Sequence, residues 1–273
     1  MPAPIIDDEL WALIEPLLPP PKPRRKRYPG RLPVSDRAAL NGILLVLKTG
    51  MRWNHLPTGL GFGSGATCWR RLHDWQQAGG GDKLHGLLLD KLRESGQLDF
   101  SYAAVDSSSV RAPLGQARPN PTDRARPGSK HHVLVDANGV PVSAILTGAN
   151  RNDVTQLLPL VDAIPPIRGT RGTRGRPLRK PKVIYADRGY DSDSHRRRLR
   201  ERGIRPVIAR RRTEHGSGLG KFRWVVERTH SWLHGFRRLR IRFERRSDIH
   251  EAFLKLACSL VCWNIFSRSE RPF

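Results

Sequence analysis

Apolar positions in the first hundred residues recur at three- and four-residue intervals; after them, apolar residues fall into short continuous runs. The first spacing belongs to helices with one buried face, the second to strands covered on both faces. Asp7 can cap a first helix that carries Leu10, Ile14 and Leu17 on one face and stops at Pro19, Pro20 and Pro21. Ser35 caps a second, with Ala39, Ile43, Val46 and Leu47 inward and Gly50 at its end. Ser64 opens a third, turning Trp69, Leu72 and Trp75 inward and Arg70 and Arg71 outward, and Asp82 caps a fourth over 84–92. The connection over 51–63 is too long for the tight turn of a helix-turn-helix. Its glycine-rich end, 59–65, follows no strand, so it lacks the context of a nucleotide-cradling loop.

From residue 100 the pattern is one of strands. Runs at 102–106, 131–136 and 140–146 come first, the last two flanking Asn138-Gly139, a strong hairpin signal. Asn152 or Asp153 caps a helix through Leu157, Leu160 and Val161; a strand at 183–187, a basic helix at 192–201 and a short strand at 205–209 follow. Helix patterns at 220–234 and 248–266 close the chain, the last with an Asp248/Glu251 capping box and Phe253, Leu256, Leu260 and Trp263 inward. An antiparallel three-strand meander followed by helix, strand, helix, strand, helix is the ribonuclease-H-like order, with the first and fourth strands side by side. The expected fold is therefore α/β: a ribonuclease-H-like mixed sheet flanked by helices over 99–273, preceded by a helical module over 1–98. Residues 111–130 and 165–182, rich in Pro, Gly and Arg, are expected to be mobile basic loops.

Charge changes the picture. The formal net charge is +24 and the sequence pI about 11.3. Such an excess repels itself in a compact state and suits a polyanion. Ribosomal proteins reach similar values, but they tend to be shorter and to lack a core like this one, with its seven tryptophans. Cys68, Cys258 and Cys262 have neither zinc nor disulfide spacing and read as reduced core cysteines. The apolar run at 252–266 is broken by Lys255 and shorter than the roughly 20 residues a bilayer requires. A cytoplasmic, nucleoid-associated protein without a membrane is expected.

Three acids stand out against this basic background. Asp106 and Asp187 each end an apolar run, and Glu227 lies at the start of a long basic helix pattern. Carboxylates at two strand ends, faced by a third on a helix, could hold a pair of divalent cations about 3.5–4 Å apart. Singly, either Asp reads as well as a cap or turn residue.

The blocks around these acids carry a resemblance. Val105-Asp-Ser-Ser-Ser-Val110, Gly128-Ser-Lys-His131, Asp136-Ala-Asn-Gly-Val-Pro141, Gly148-Ala-Asn-Arg-Asn-Asp153, Ala186-Asp-Arg-Gly-Tyr-Asp191 and Arg223-Trp-Val-Val-Glu-Arg228 with Trp232 occur in the order seen in DDE transposases of bacterial insertion sequences. The chain resembles the IS5 family within the wider IS4-like group. The resemblance implies Asp106, Asp187 and Glu227 as catalytic metal ligands, Mg²⁺ as cofactor with Mn²⁺ able to substitute, and DNA as partner, bound by a homo-oligomer. It also implies cleavage at element ends and transfer of the 3′-hydroxyls to target DNA. A ribonuclease-H-like nuclease without strand joining, or a domesticated DNA-binding regulator, are the alternatives. The wider group places a Tyr seven residues before the third acid, an Arg four before and a Lys seven after; Arg223 fits, but Gly220 and His234 stand at the other two positions.

The candidate DNA contacts are Arg70 and Arg71 on the third helix, Arg188, Arg223 and Arg228 beside the second and third acids, and, as the family resemblance implies, Lys130 or His131 as a phosphate contact near the first. Arg223 lies one turn before Glu227, where it could orient the carboxylate, hold a phosphate or form a plain salt bridge. His131 and His132 alternate along a strand, so they cannot easily share one ion. Ser107 to Ser109 lack a partner set for nucleophilic catalysis, and Trp224 and Trp232 read as core. Arg174-Gly-Arg-Pro177 resembles a minor-groove hook, although the match is short and compositionally cheap.

Overall fold

The computed structural model describes residues 6–270 except 22, 24–25, 28–29, 31, 115–117, 122, 170–175 and 213–217. Helices form in the N-terminal part where caps and apolar spacing agree. α1 (Asp8–Ile14) is capped by Asp7, whose Oδ1 accepts from Leu10 N at 2.7 Å. The Ser35 and Ser64 hydroxyls cap α2 (Asp36–Thr49) and α3 (Gly65–Gln77). Only glycine fits at the head of α3, because a Cβ on Gly65 would lie 1.9 Å from the Trp53 carbonyl oxygen. The connection between α2 and α3 is long, as expected, and holds two 3-10 turns. α4 (Gly80–Glu94) differs from expectation. The left-handed Gly79 restarts the helix directly after α3, so Asp82 is a first-turn residue and not its cap; its carboxylate pairs with Lys255 at 2.7 Å.

The strands are β1 (Ala103–Arg111), β2 (Arg118–Pro119), β3 (Pro127–Asp136), β4 (Pro141–Gly148), β5 (Val183–Ala186) and β6 (Arg205–Ile208). They lie in the order β2-β3-β1-β5-β6, with β4 also on β3. β1 is antiparallel to β3 and parallel to β5, and β5 is parallel to β6. This is the ribonuclease-H-like sheet. The segment 111–130, expected to be loop, is strand at its two ends, where β1 runs to Arg111 and β3 starts at Pro127, and at the short β2, because these residues pair through backbone without needing apolar side chains. Ile167 and Leu178 likewise bridge across 165–182. The Arg174–Pro177 hook falls partly outside the described residues.

The β3–β4 hairpin is stapled by one carboxylate. Asp136 Oδ1 accepts from the Asn138 and Val140 N–H groups at 3.0 and 2.7 Å, and Oδ2 from Asp99 N at 2.8 Å. Gly139 (φ 81°) supplies the left-handed residue of the turn, where any side chain would also strike Arg228.

The remaining helices are α5 (Leu157–Asp162), α6 (Asp193–Glu201), α7 (Gly220–Gly235), α8 (Arg237–Arg240) and α9 (Ser247–Glu270). α7 and α9 cover the face of the sheet to which His131 points; α5 covers the other, where Ser143 Oγ donates to the Leu160 carbonyl at 2.7 Å. α9 is buried on most of its circumference, through Ile249, Phe253, Leu254, Ala257, Cys258 and Cys262. It is long and apolar enough to cross a membrane by composition, but 67% of its apolar window is packed inside the protein. Its outer side is covered by α3 and α4, with Trp53 stacked on Phe253 at 5.7 Å and Trp263 Nε1 donating to Asp7 at 3.2 Å. The helix starts at Ser247, one residue before the Asp248 expected to cap it; Asp248 takes hydrogen bonds from Arg246 and Gln77, and Glu251 pairs with Lys255.

A buried ionic knot joins the two parts of the chain. Arg238 pairs with Glu244 at 2.6 Å and donates to the Gly50 and Met51 carbonyls at 3.2 and 3.0 Å. Glu244 also faces His250 at 3.4 Å, while Arg242 donates to Ser129 Oγ at 2.9 Å.

Candidate active site

The sheet brings two of the three acids together. In the parallel β1–β5 ladder Ala103 lies beside Ile184 and Ala104 beside Tyr185. Two residues further along each chain are Asp106 and Asp187, on the same register. Asp106 does not end its strand, as expected, but sits inside it, because the serines after it continue the ladder with β3. Asp187 directly follows β5 and caps the 3-10 turn Arg188–Tyr190, accepting from Gly189 N at 2.8 Å. α7 crosses β1, β3 and β5 and presents Glu227 on its exposed side.

Electrostatics tie the three together. Burial pushes the Asp106 carboxyl up to about 6, the charges of Asp187 and Glu227 adding to the rise; the Ser107 N–H and the Arg223 guanidinium oppose it. Arg223 Nη2 lies 3.7 Å from Asp106 Oδ1, so it reaches across to the first acid. Its Nε is buried without a partner. Among the described residues, no three Asp, Glu, His or Cys side chains converge tightly enough to ligate one ion. The donor set nevertheless fits a hard divalent cation: three carboxylates, oxygen only, two of them side by side on adjacent parallel strands.

A second group of polar side chains backs β1 on its opposite face. Asp153 accepts from Ser107 Oγ at 2.8 Å and from Lys130 Nζ at 3.0 Å, with His132 Nδ1 at 3.9 Å. Tyr190 lies among Asp153, Asp106 and Asp187, and burial followed by those three charges raises its hydroxyl well above the usual tyrosine range. Asp191, the last acid of its block, is committed to Arg196.

The candidate DNA contacts are spread unevenly. Arg70 is exposed on α3, its Nε donating to the Ala66 carbonyl. Arg71 is not outward: it pairs with Asp36 at 3.3 Å and so braces α3 against α2. Lys130 is held by Asp153 and by the Arg151 carbonyl. His131 is fully buried, its Nε2 2.9 Å from His250 Nε2, so it cannot touch a DNA phosphate. Burial keeps His131, His230, His234 and His250 below the ordinary imidazole range, leaving an uncharged cluster between the sheet, α7 and α9. Arg188 and Arg223 are half-buried at the acids. Arg228 is sandwiched between Trp224 and Trp232, 4.5 and 4.6 Å from the ring centroids, and donates to the Asn138 carbonyl at 2.6 Å. Trp224 is thus a surface residue, 48% exposed, and not core as expected, because Arg228 fills the space beside it on the helix.

Sequence reasoning missed Asp153, Tyr190 and the histidine cluster as neighbours of the site. Asp153 carried a signal: Asn152 alone caps the turn after it, which leaves Asp153 free for other partners. His230, His234 and His250 had none, since their meeting with His131 depends on how α7 and α9 cross the sheet.

Residues 99–262 match the family profile described as "Transposase DDE domain", and residues 6–85 match "Putative transposase of IS4/5 family". Over 153 residues the chain is 76% identical to the "Putative transposase for insertion sequence element IS402" of Burkholderia cepacia, covering 56% of this chain and 71% of that protein. Over 124 residues it is 69% identical to the "Insertion element IS402 uncharacterized 16.2 kDa protein" of the same organism, covering 44% and 84%. The "Transposase for insertion sequence element IS1106" of Neisseria meningitidis serogroup B is 31% identical over 117 residues, 39% of this chain and 36% of that protein. The solved pre-cleavage Mos1 transpososome aligns over 93% of this chain and 83% of its own at 10% identity and a TM-score of only 0.27. The profile that spans the sheet and its acids, together with these relatives, shows that the chain belongs to the DDE transposases of IS4/5-type insertion sequences, enzymes that act on DNA and depend on a divalent metal.

Proposed function

We propose that Asp106, Asp187 and Glu227 hold two Mg²⁺ ions, for which Mn²⁺ can substitute, and that this centre both cuts the element ends and joins their 3′-hydroxyls to target DNA. The observation that carries the reading is the parallel β1–β5 register, which sets Asp106 beside Asp187 beneath α7, the helix that bears Glu227. Bound ions would supply an activated water and stabilise charge on the leaving oxygen. The chain's own groups orient the rest. Asp187 is fixed by the Gly189 N–H and Asp106 by its place in the ladder, so neither carboxylate must be ordered when DNA arrives. Arg223, with its unused Nε, stands beside Asp106 where a phosphate oxygen would lie. Cleavage and joining are both in-line displacements at phosphorus, so one site serves both with different nucleophiles.

Recognition is divided in this reading. The helical part to residue 98 reads the element ends through Arg70, and Arg188, Arg223 and Arg228 contact backbone near the acids, within a homo-oligomer assembled on DNA. Lys130 joins them only by leaving Asp153. The experiment uses the full chain, end-sequence duplexes and Mg²⁺. Nicked ends and strand-transfer products are expected from the wild type and neither from Asp106→Asn, Asp187→Asn or Glu227→Gln, with DNA binding retained. Cleavage without joined products would favour a plain nuclease. Normal cleavage by any one variant removes that residue from the site.

A further inference from the structure

Between α7 and α9 the chain carries six arginines in ten residues, from Arg237 to Arg246. They divide into two sets. Arg238 and Arg242 are buried and spent on protein groups, the first on Glu244 and the Gly50 and Met51 carbonyls, the second on Ser129 Oγ and the Arg245 carbonyl. These anchors fix the segment to β3 and to the end of α2, and leave Arg237, Arg240 and Arg245 exposed between and beside them. The backbone is held as well. Arg242 N donates to the Arg111 carbonyl at 2.8 Å, and Ile241 bridges Arg111 in parallel. The exposed Arg111, last residue of β1, therefore stands next to the segment.

Exposed arginines are ordinary in a chain of net charge +24, but elsewhere acids answer them. On α6, Arg197 faces Glu201 at 3.9 Å, and just beyond it Arg202 pairs with Asp162 at 2.9 Å. Here both local acids are taken: Glu244 is buried against Arg238, and Asp248 is paired with Arg246. That leaves Arg111, Arg237 and Arg245 without an acidic partner among the described residues. Their place in the fold is also particular. Arg237 packs at the end of α2, its Cβ 3.2 Å from where a side chain on Gly50 would begin. Arg111 lies on the strand that bears Asp106, about 17 Å further along it. A duplex carries one phosphate charge per ~1.7 Å, so it presents about ten over that span.

Resting on the function proposed above, we infer that Arg111, Arg237 and Arg245 form a seam that binds phosphates of the element-end duplex where it passes from the helical module to the acids. The seam reads no bases. It fixes the register in which a bound end reaches Asp106, and its backbone, anchored by buried arginines, needs no ordering when DNA arrives.

The test compares two full-length triple variants that lose the same charge: Arg111→Ala, Arg237→Ala and Arg245→Ala in one, and Arg197→Ala, Arg198→Ala and Arg200→Ala on the exposed side of α6 in the other. Both are read by melting temperature, by affinity for an end-sequence duplex between about 50 and 200 mM salt, and by cleavage and joining in Mg²⁺. The seam variant should melt with the wild type and lose about 10-fold or more in affinity, its slope of log K against log salt falling by up to about 2.7, or ~0.9 for each lost contact. The α6 variant should lose less than about 3-fold on the same scale. Lysine at the three seam positions should restore binding, because a phosphate accepts an ammonium as a point charge. Equal losses in the two alanine variants overturn the inference, since bulk charge alone would explain them. So does a lysine triple that binds no better than the alanine triple, which would make the guanidinium groups structural. Lost joining with end affinity intact would assign the seam to target DNA and overturn its assignment to the element end. If the wild type neither binds nor cuts the duplex, the function proposed above fails first; if it does both and the seam variant matches it, only the seam fails.

Discussion

Arg223 of α7 reaches Asp106 of β1, with Nη2 3.7 Å from Oδ1, although its nearest acid on the helix is Glu227. One helix therefore delivers an acid to the site and, one turn earlier, the cation that tempers another acid. Both side chains are partly exposed, at 19% and 23%, so the pair contributes little to folding, of order 0–1 kcal/mol. Its effect is local. Arg223 opposes the rise that burial imposes on Asp106 and keeps a positive charge where a phosphate would enter.

Arg223→Ala should consequently spare stability and cost activity. Chemical denaturation is expected to shift by no more than about 1 kcal/mol, while cleavage falls by about 10²-fold, the order for removing one placed donor at a developing charge. Arg223→Lys should recover only part, since an ammonium lacks the fork that grips two oxygens. A large fall in stability with cleavage intact would show that the pair is merely structural.

The raised Asp106 carboxyl gives a pH dependence with a definite sign. The folded protein holds this proton until about pH 6, the unfolded chain only to the usual carboxylate range near 4. Metal-free protein therefore loses stability as pH rises through that window, by roughly 3 kcal/mol at most. A divalent cation requires the ionised form, so its stabilisation should appear above pH 6 and fade below it. Calorimetry with and without Mg²⁺ at pH 5 and 7.5 checks this; an equal rise in melting temperature at both values would contradict it.

The Arg238–Glu244 pair, 4% and 6% exposed, is different in kind. Arg238→Ala takes from the buried Glu244 carboxylate its paired guanidinium, leaving it His250 and the more distant charge of Arg242, and strips two carbonyls after α2 of this donor. We expect a loss of about 3–5 kcal/mol in urea unfolding, the usual penalty for breaking a buried pair from one side. A change below about 1 kcal/mol would mean that water or rearrangement replaces the guanidinium.

Arg70 is the exposed arginine of α3 and should bear on sequence preference, not bulk affinity. Arg70→Ala in the full chain is expected to lower the preference for end over random duplexes by about 10-fold or more, the order for one lost base contact. Affinity of both proteins should fall steeply with salt, log K dropping by about 0.9 per neutralised phosphate for each decade. Competition binding at two salt concentrations measures both effects. An unchanged preference would shift recognition away from α3. The intact chain is the right material because α9 covers α3 and α4, and a fragment ending at residue 98 would bare their apolar faces.

Local chemistry determined much of this protein in advance. Side-chain oxygens at Asp7, Ser35, Ser64 and Ser192 cap the helices that follow them, and Asn138-Gly139 turns the hairpin, because each acts on backbone only a few residues away. Strand order followed from the succession of elements, and with it the nearness of Asp106 to Asp187. Tertiary structure alone decided the rest. Which charge Arg223 meets, why His131 is sealed against His250 and why Arg71 faces Asp36 all depend on side chains from distant elements. Periodicity shows which face of a helix is apolar; it does not show which polar group will lie opposite, because that is fixed by crossing angles and packing that no local pattern encodes.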